Sequence, residues 1–312
     1  MKRCLMTAGA LIVLSVLAGC SQSETAGRET DPLETQTPPT ETAVPPEPSP
    51  PEDLENIPYQ ESDERMHRLD VHMPIDAEAP YPVILAIHGG HGDKREMTPL
   101  AEYFAERGFA VLTMNFRDMP LHSYPAPVED AFCALGWIYA NAGTYGFDTS
   151  RIVALGFSSG ADLASMLGVV DNPLHYLANC PYELPETNHV AAVVTFTGVF
   201  NLRAAAQLSA AHLDYYVRYV GASVEGNPAL WDEASVVSWV TGEAPPFLLI
   251  HGMADGNIPP ILSEQFAEEL HQAGVVAETY YVAGEDHMGI IRSEEAFSAA
   301  EAFLRSLLNI ST

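Results

Sequence analysis

The chain has 312 residues, of which 42 are acidic and 14 basic, for a formal charge of −28. So negative a surface repels nucleic acid and bare anionic membrane, and it suits neutral or cationic partners. The charge balance selects no substrate. In chain order, Met1-Lys2-Arg3 precedes a 13-residue apolar run, residues 5–17 (LMTAGALIVLSVL). That run is too short to span a bilayer comfortably and fits the apolar core of a secretory leader. Residues 21–57 then hold eight prolines, nine acidic residues and one arginine. Such a stretch cannot bury enough apolar surface to offset its ordering entropy, and we read it as a disordered, semi-extended tether. Extended like polyproline, it would reach on the order of 100 Å. The remainder, residues 58–312, is long enough for one large α/β domain.

The leader ends in Leu17-Ala18-Gly19-Cys20. Small residues let a signal peptidase approach the backbone, and a cysteine directly after them resembles the signal of bacterial lipoproteins. That resemblance implies a leader over residues 1–19, an acylated Cys20 at the head of the tether 20–57, and a protein of the cell envelope held at the extracytoplasmic side of a membrane by its lipid. Cys4 leaves with such a leader, so Cys133 and Cys180 remain. An exported context permits a disulfide between them, although their spacing does not place them together.

Within the domain, apolar runs alternate with helical patterns. Residues 65–73 alternate polar and apolar, as in an exposed antiparallel strand, and 82–88 form a continuous apolar run, as in a buried one. Residues 96–108 have helical spacing and stop at Gly108. Buried strands are predicted over 109–116, 151–157, 189–198 and 245–252, a further strand over 275–282, and helices over 128–142, 158–170, 261–273 and 293–308. This alternation predicts an α/β fold, a mostly parallel sheet covered by helices on both faces. Residues 171–188 and 200–244 interrupt it and are expected above the C-terminal ends of the strands, where such sheets bind ligands.

Residues 156–160 read GFSSG. The pattern Gly-x-Ser-x-Gly fits with Ser158 at its centre, flanked by Gly156 and Gly160; with Ser159 central the flanks would be Phe157 and Ala161. A strand before and a helix after are the context in which this pattern makes a sharp turn that exposes a serine nucleophile. The backbone N–H of Ser159, at a helix N-terminus, can then face a developing oxyanion. A serine hydroxyl needs a base. Of the downstream histidines (His175, His189, His212, His251, His271 and His287), His287 alone sits on a short loop after the last strand, between Gly284 and Gly289. His251 ends a buried strand and reads as structural. Asp255, in HGMADGNIP, follows a strand by a short turn and is the carboxylate expected to orient His287. Glu285 and Asp286, beside His287, read as solvated.

After the first buried strand comes HGGHGD, His88 to Asp93. With this run, with NFRDMPLHSYPAPVEDAFCALGWIYANAGTYGFDTSRIVALGFSSG, with PPFLLIHGMADGNIP and with GEDHMG, the sequence resembles a carboxylesterase of the α/β-hydrolase superfamily over about residues 64–308. The branch is that of hormone-sensitive-lipase-like esterases and bacterial xylan-associated acetyl and feruloyl esterases. The resemblance implies that the third and fourth positions of the usual His-Gly-Gly-Gly, here Gly90 and His91, supply oxyanion N–H groups. His91 in place of glycine is expected to crowd the hole and narrow the acyl pocket. The resemblance implies no cofactor and no metal, although His88, His91 and Asp93 are metal-ligand types. Arg117, Asp118, Glu129 and Asp130 resemble positions that brace the loops.

The expected function is therefore a serine carboxylesterase acting on short-acyl esters, carbohydrate esters of the xylan type among them. Two rivals stand beside it. A serine peptidase of the prolyl-oligopeptidase type shares the Ser-Asp-His order. A catalytically silent binding protein shares the fold, but would not need Ser158, Asp255 and His287 all in place.

Overall fold

The continuous apolar runs become the middle of one eight-stranded sheet in a computed structural model that describes residues 54–62, 64–186 and 189–310. The expected leader, Cys20 and the tether up to residue 53 lie outside the described residues. The strands are β1 (Ile57–Pro58), β2 (Arg68–His72), β3 (Tyr81–Ile87), β4 (Ala110–Met114), β5 (Phe147–Phe157), β6 (Ala192–Phe196), β7 (Phe247–Gly252) and β8 (Ala277–Val282), in the order β1-β2-β4-β3-β5-β6-β7-β8. β1, β2 and β4 pair antiparallel, and every pair from β4 to β8 is parallel.

The parallel strands are apolar on both sides because both sides are covered. Along β3, Val83, Leu85 and Ile87 face α2 (Ala126–Tyr145), α3 (Ser159–Val169) and α7 (Ile261–Gln272). Ile84 and Ala86, between them, face α1 (Thr98–Ala105) and α8 (Glu294–Leu307). Phe132, Leu163 and Phe266 fill the first layer, and Phe104, Phe297 and Leu304 the second. The expected α/β architecture, helices on both faces included, is the one observed.

The chain leaves β3 toward β4 on one side and later returns to β5 on the other. Such a reversal opens a crevice beyond the C-terminal ends of β3 and β5, and ligands bind there in sheets of this kind. Both GFSSG and HGGHGD lie at those two strand ends.

Three boundaries differ from expectation. The sheet begins before residue 58: Leu54 O accepts the Val71 N–H at 2.8 Å and Ile57 pairs with Leu69, so the last residues of the expected tether belong to the domain. Residues 200–244 fold into α4 (Leu202–Ala206), α5 (Ala210–Val220) and α6 (Pro228–Glu233), and α5 does reach over the strand ends, as expected. Residues 171–186 do not. They follow a helix, α3, and pack on α2: Tyr176 stacks on Phe132 with ring centroids 5.5 Å apart. Cys180 forms a disulfide with Cys133 of α2. The pairing left open by the sequence is thus made, on the flank of the sheet.

Candidate active site

β5 ends at Phe157 and α3 begins at Ser159, so Ser158 must carry the whole change of direction. It does so with φ 53° and ψ −122°, a backbone region that non-glycine residues avoid and that proteins keep at functional turns. Its N–H donates to Phe196 O at 2.9 Å, which pins the turn to β6. The glycines are obligatory. A Cβ on Gly156 would stand 2.0 Å from Gly160 O, and one on Gly160 would stand 2.3 Å from Ile87 O. The glycine register read from GFSSG is therefore a steric requirement of the fold.

Two neighbouring strand ends bring up the other groups. Past β7, Met253 N–H donates to Val282 O and Ala254 N–H to Glu285 O, both at 2.9 Å. These bonds sew the loop that carries Asp255 to the loop that carries His287. His287 Nε2 lies 3.2 Å from Ser158 Oγ, and its Nδ1 lies 2.8 Å from Asp255 Oδ2. Asp255 Oδ1 accepts the N–H groups of Asn257 and Ile258, each at 2.8 Å. Burial alone would push the Asp255 carboxyl up. The hydrogen bond from His287 and those two N–H groups outweigh it and hold the group below the ordinary carboxylate range. A carboxylate that stays ionised fixes Nδ1 as the protonated nitrogen, so Nε2 presents its lone pair to Ser158.

The other downstream histidines are engaged elsewhere. His251 is buried, with Nε2 2.9 Å from Ile258 O and Nδ1 2.7 Å from Ser263 Oγ. Burial pushes its pKa down, so the neutral ring donates to one and accepts from the other, the structural role expected. His175 stacks on Trp239, His189 contacts Asp171 O, and His271 contacts Ala277 O. His212 contacts Ser209 Oγ and Asn257 O. Asp286 is exposed, but its carboxylate is not merely solvated: it accepts the N–H groups of Met288 and Gly289 at 3.1 and 2.7 Å and so closes the turn behind His287.

At the end of β3, Gly90 faces Ser159. A Cβ on Gly90 would meet Ser159 Oγ at 2.9 Å and Tyr215 Oη at 3.0 Å. Ser159 opens α3, so its N–H has no acceptor within the helix. His91 differs from expectation. Its backbone, at φ 61°, turns its N–H onto Asp118 Oδ2 at 2.5 Å, and its ring is exposed with Nδ1 3.0 Å from Met119 O. The N–H expected to face the oxyanion is thus bound to a carboxylate. Asp118 also accepts the Met119 N–H, and Arg117 grips Asp130 and Glu129, so these residues brace the loops as the sequence suggested. His88 Nδ1 meets Gly89 O and Asp93 pairs with Arg65 and Arg95, and among the described residues no group of three His, Cys, Asp or Glu could hold a metal ion.

The resulting cleft measures about 360 Å³. Its far wall comes from α5, through Ala211, His212, Tyr215 and Tyr216, and from Val199 and Ile258. None of these was singled out from the sequence except His212, and the i, i+3, i+4 spacing of 211, 212, 215 and 216 is the signal that one helix face is presented.

Residues 69–270 match the model of the family described as BD-FAE. Among curated relatives, "Esterase LipQ" of Mycobacterium tuberculosis is 29% identical over 204 residues, covering 64% of this chain and 48% of its own length. "Probable carboxylic ester hydrolase LipM" of the same organism is 29% identical over 253 residues, covering 77% of this chain and 58% of its own. The chain spans about half the length of the curated relatives it matches. Among solved structures, "Bifunctional GH43-CE Bacteroides eggerthii" superposes with a TM-score of 0.73 at 26% identity, over 81% of this chain and 38% of that one. A "truncated form of carbohydrate esterase from gut microbiota" superposes with a TM-score of 0.72 at 24% identity, over 84% of this chain and 99% of that one, and speaks for the fold alone.

Proposed function

This chain belongs to the BD-FAE family and has the α/β-hydrolase fold, and on that premise we propose that it is a carboxylic ester hydrolase that works through a serine acyl-enzyme. The observation that carries the mechanism is the line of hydrogen bonds from Asp255 through His287 to Ser158, at 2.8 and 3.2 Å. Ser158 Oγ attacks the ester carbonyl as His287 Nε2 takes its proton. Asp255 holds the ring and balances the imidazolium charge. The N–H groups of Gly90 and Ser159 stabilise the oxyanion. His287 returns the proton to the leaving alcohol, and a water activated by His287 then releases the acid and frees Ser158.

The substrate we propose is a short-acyl ester of a hydroxylated alcohol, a carbohydrate ester among them. Polar groups support this: Glu96, His212, Asn257 and Tyr215 line the cleft beside its apolar residues. The Leu-Ala-Gly-Cys20 ending supports a lipid-anchored protein of the cell envelope that meets such esters outside the cytoplasm. The test is a panel of p-nitrophenyl esters and acetylated xylo-oligosaccharides against aminoacyl p-nitroanilides. Ester hydrolysis with release of acetate is the expected result. Cleavage of the anilides without ester hydrolysis overturns the reading in favour of a peptidase. Inertness toward both, with no fluorophosphonate adduct, overturns it in favour of a binding protein.

A further inference from the structure

Ester hydrolases of this design stabilise the oxyanion with several N–H groups, and here one of the expected donors is spent: His91 N–H is bound to Asp118 Oδ2 at 2.5 Å. Another donor stands at the same place. Tyr215 projects from α5, whose N-terminus is capped by Ser209 and tied by His212 Nε2 to Asn257 O at 3.2 Å. Asn257 N–H is itself a ligand of Asp255, so α5 is fastened to the loop that carries the acid. Fixed in this way, the Tyr215 ring sits edge-on to His91, with centroids 5.9 Å apart. Its hydroxyl reaches into the cleft beside the Ser159 side chain: an ideal Cβ on Gly90 would stand 3.0 Å from Tyr215 Oη and 2.9 Å from Ser159 Oγ.

Resting on the serine-esterase reading above, we infer that Tyr215 is a catalytic residue whose phenol O–H donates to the oxyanion alongside the N–H groups of Gly90 and Ser159. The arrangement suits this. The Ser159 hydroxyl can donate to Tyr215 Oη, which leaves the phenol proton for the substrate oxygen. Burial is the largest influence and raises the phenol pKa, the Ser159 side chain beside it lowers it by less, and the net rise keeps the group protonated at neutral pH. A side chain at residue 90 would crowd both the Ser159 hydroxyl and the phenol.

The test is Tyr215→Phe in the full chain, with p-nitrophenyl acetate as substrate. Loss of one oxyanion donor lowers kcat by about 10²-fold with little change in KM. A trifluoromethyl ketone forms a hemiketal with Ser158 that carries the same oxyanion, so its Ki rises by the same factor. Unchanged kcat, or a fall in kcat with unchanged ketone affinity, overturns the assignment. A second measurement covers the case of a poorly folded variant. Fluorinated tyrosines at 215 keep the shape and lower the phenol pKa, so kcat gains an alkaline limb that moves with the degree of fluorination; an unmoved pH profile overturns the proposal. Ser158→Ala is assayed in parallel. Full turnover in that variant sinks the serine mechanism itself, whereas its inactivity beside a fully active Tyr215→Phe sinks the Tyr215 role alone.

Discussion

Asp118 Oδ2 accepts the backbone N–H of His91 at 2.5 Å, although the two residues are 27 positions apart in sequence. The carboxylate is buried and takes the Met119 N–H as well, so it locks the loop after β3 to the loop after β4. The consequence is chemical as much as structural. The fourth position of the HGGH run keeps its donor, but that donor points at a protein carboxylate and not at the cleft. The proposed oxyanion site is then built from Gly90 and Ser159, with Tyr215 in the third place.

The glycine register makes the first prediction. Ser158→Ala removes the proposed nucleophile and should lower kcat by about 10⁶-fold, the cost seen when a triad serine is deleted. Ser159→Ala keeps the backbone N–H and loses only the hydroxyl against Tyr215, so the loss is modest. Both variants are measured on one activated ester, and a fluorophosphonate adduct is mapped by peptide mass. Equal activity in the two, or an adduct on Ser159, refutes the assignment.

What was legible follows from physics that is local in sequence. Strands such as β3 declare themselves as continuous apolar runs because both of their faces are buried. Ser158 could be told from Ser159 because Gly156 and Gly160 have no room for a Cβ. His287 and Asp255 could be chosen because they sit just past strand ends. What was illegible depends on contacts across the fold. Nothing near Tyr215 in the sequence reveals that its hydroxyl stands beside Gly90 and Ser159, and nothing near His91 reveals Asp118. Residues 171–186 were misplaced for a simpler reason: they follow a helix, and their aromatic residues pack on α2.

The disulfide should act on stability and not on turnover. Cys133 and Cys180 close a loop with a sequence separation of 47, and neither lines the cleft. Loops of this size confer about 2–4 kcal/mol by restricting the unfolded chain. Replacing both cysteines with alanine should lower Tm by several degrees while kcat at 25 °C is retained. Thermal unfolding with and without reductant checks it, since reductant should reproduce the loss in the parent chain and leave the double variant unmoved.

Asp162 sets a pH dependence of stability. Its Oδ1 accepts the N–H groups of Val199 and Phe200, each at 2.9 Å, just beneath the cleft. Burial raises its carboxyl, and those two bonds offset only part of the rise, so it stands at about 7. The unfolded carboxyl titrates near 4. Between these values the native state binds the extra proton, so stability falls as pH rises from about 4 to about 7 and is level above that. Asp162→Asn keeps an oxygen for both N–H groups and removes the charge. The expected result is a Tm difference in favour of the variant that is small at pH 4 and grows toward pH 7. A constant difference across that range would show that Asp162 is ionised throughout.

The acyl pocket is the last test, and the structure changes what should be expected of it. Histidine in place of the usual fourth glycine suggested a ring crowding the acyl group. The His91 ring is instead exposed and turned to Met119 O, perpendicular to the Tyr215 ring, although the residue borders the cleft. Tyr216, buried one residue further along α5, and Val199 stand deeper in the cleft. His91→Gly should therefore leave the relative kcat/KM for acetyl, butyryl and octanoyl esters within about twofold of the parent, because a ring held on Met119 O and Tyr215 discriminates nothing unless it meets the acyl group in the transition state. Tyr216→Ala should raise kcat/KM for the octanoyl ester relative to acetyl, because removing a buried ring opens space a methylene chain can fill. Thermal unfolding of each variant separates a reshaped pocket from a loosened fold. If His91→Gly alone flattens the chain-length profile, the ring does meet the acyl group during turnover, and the loop that Asp118 holds must move to allow it.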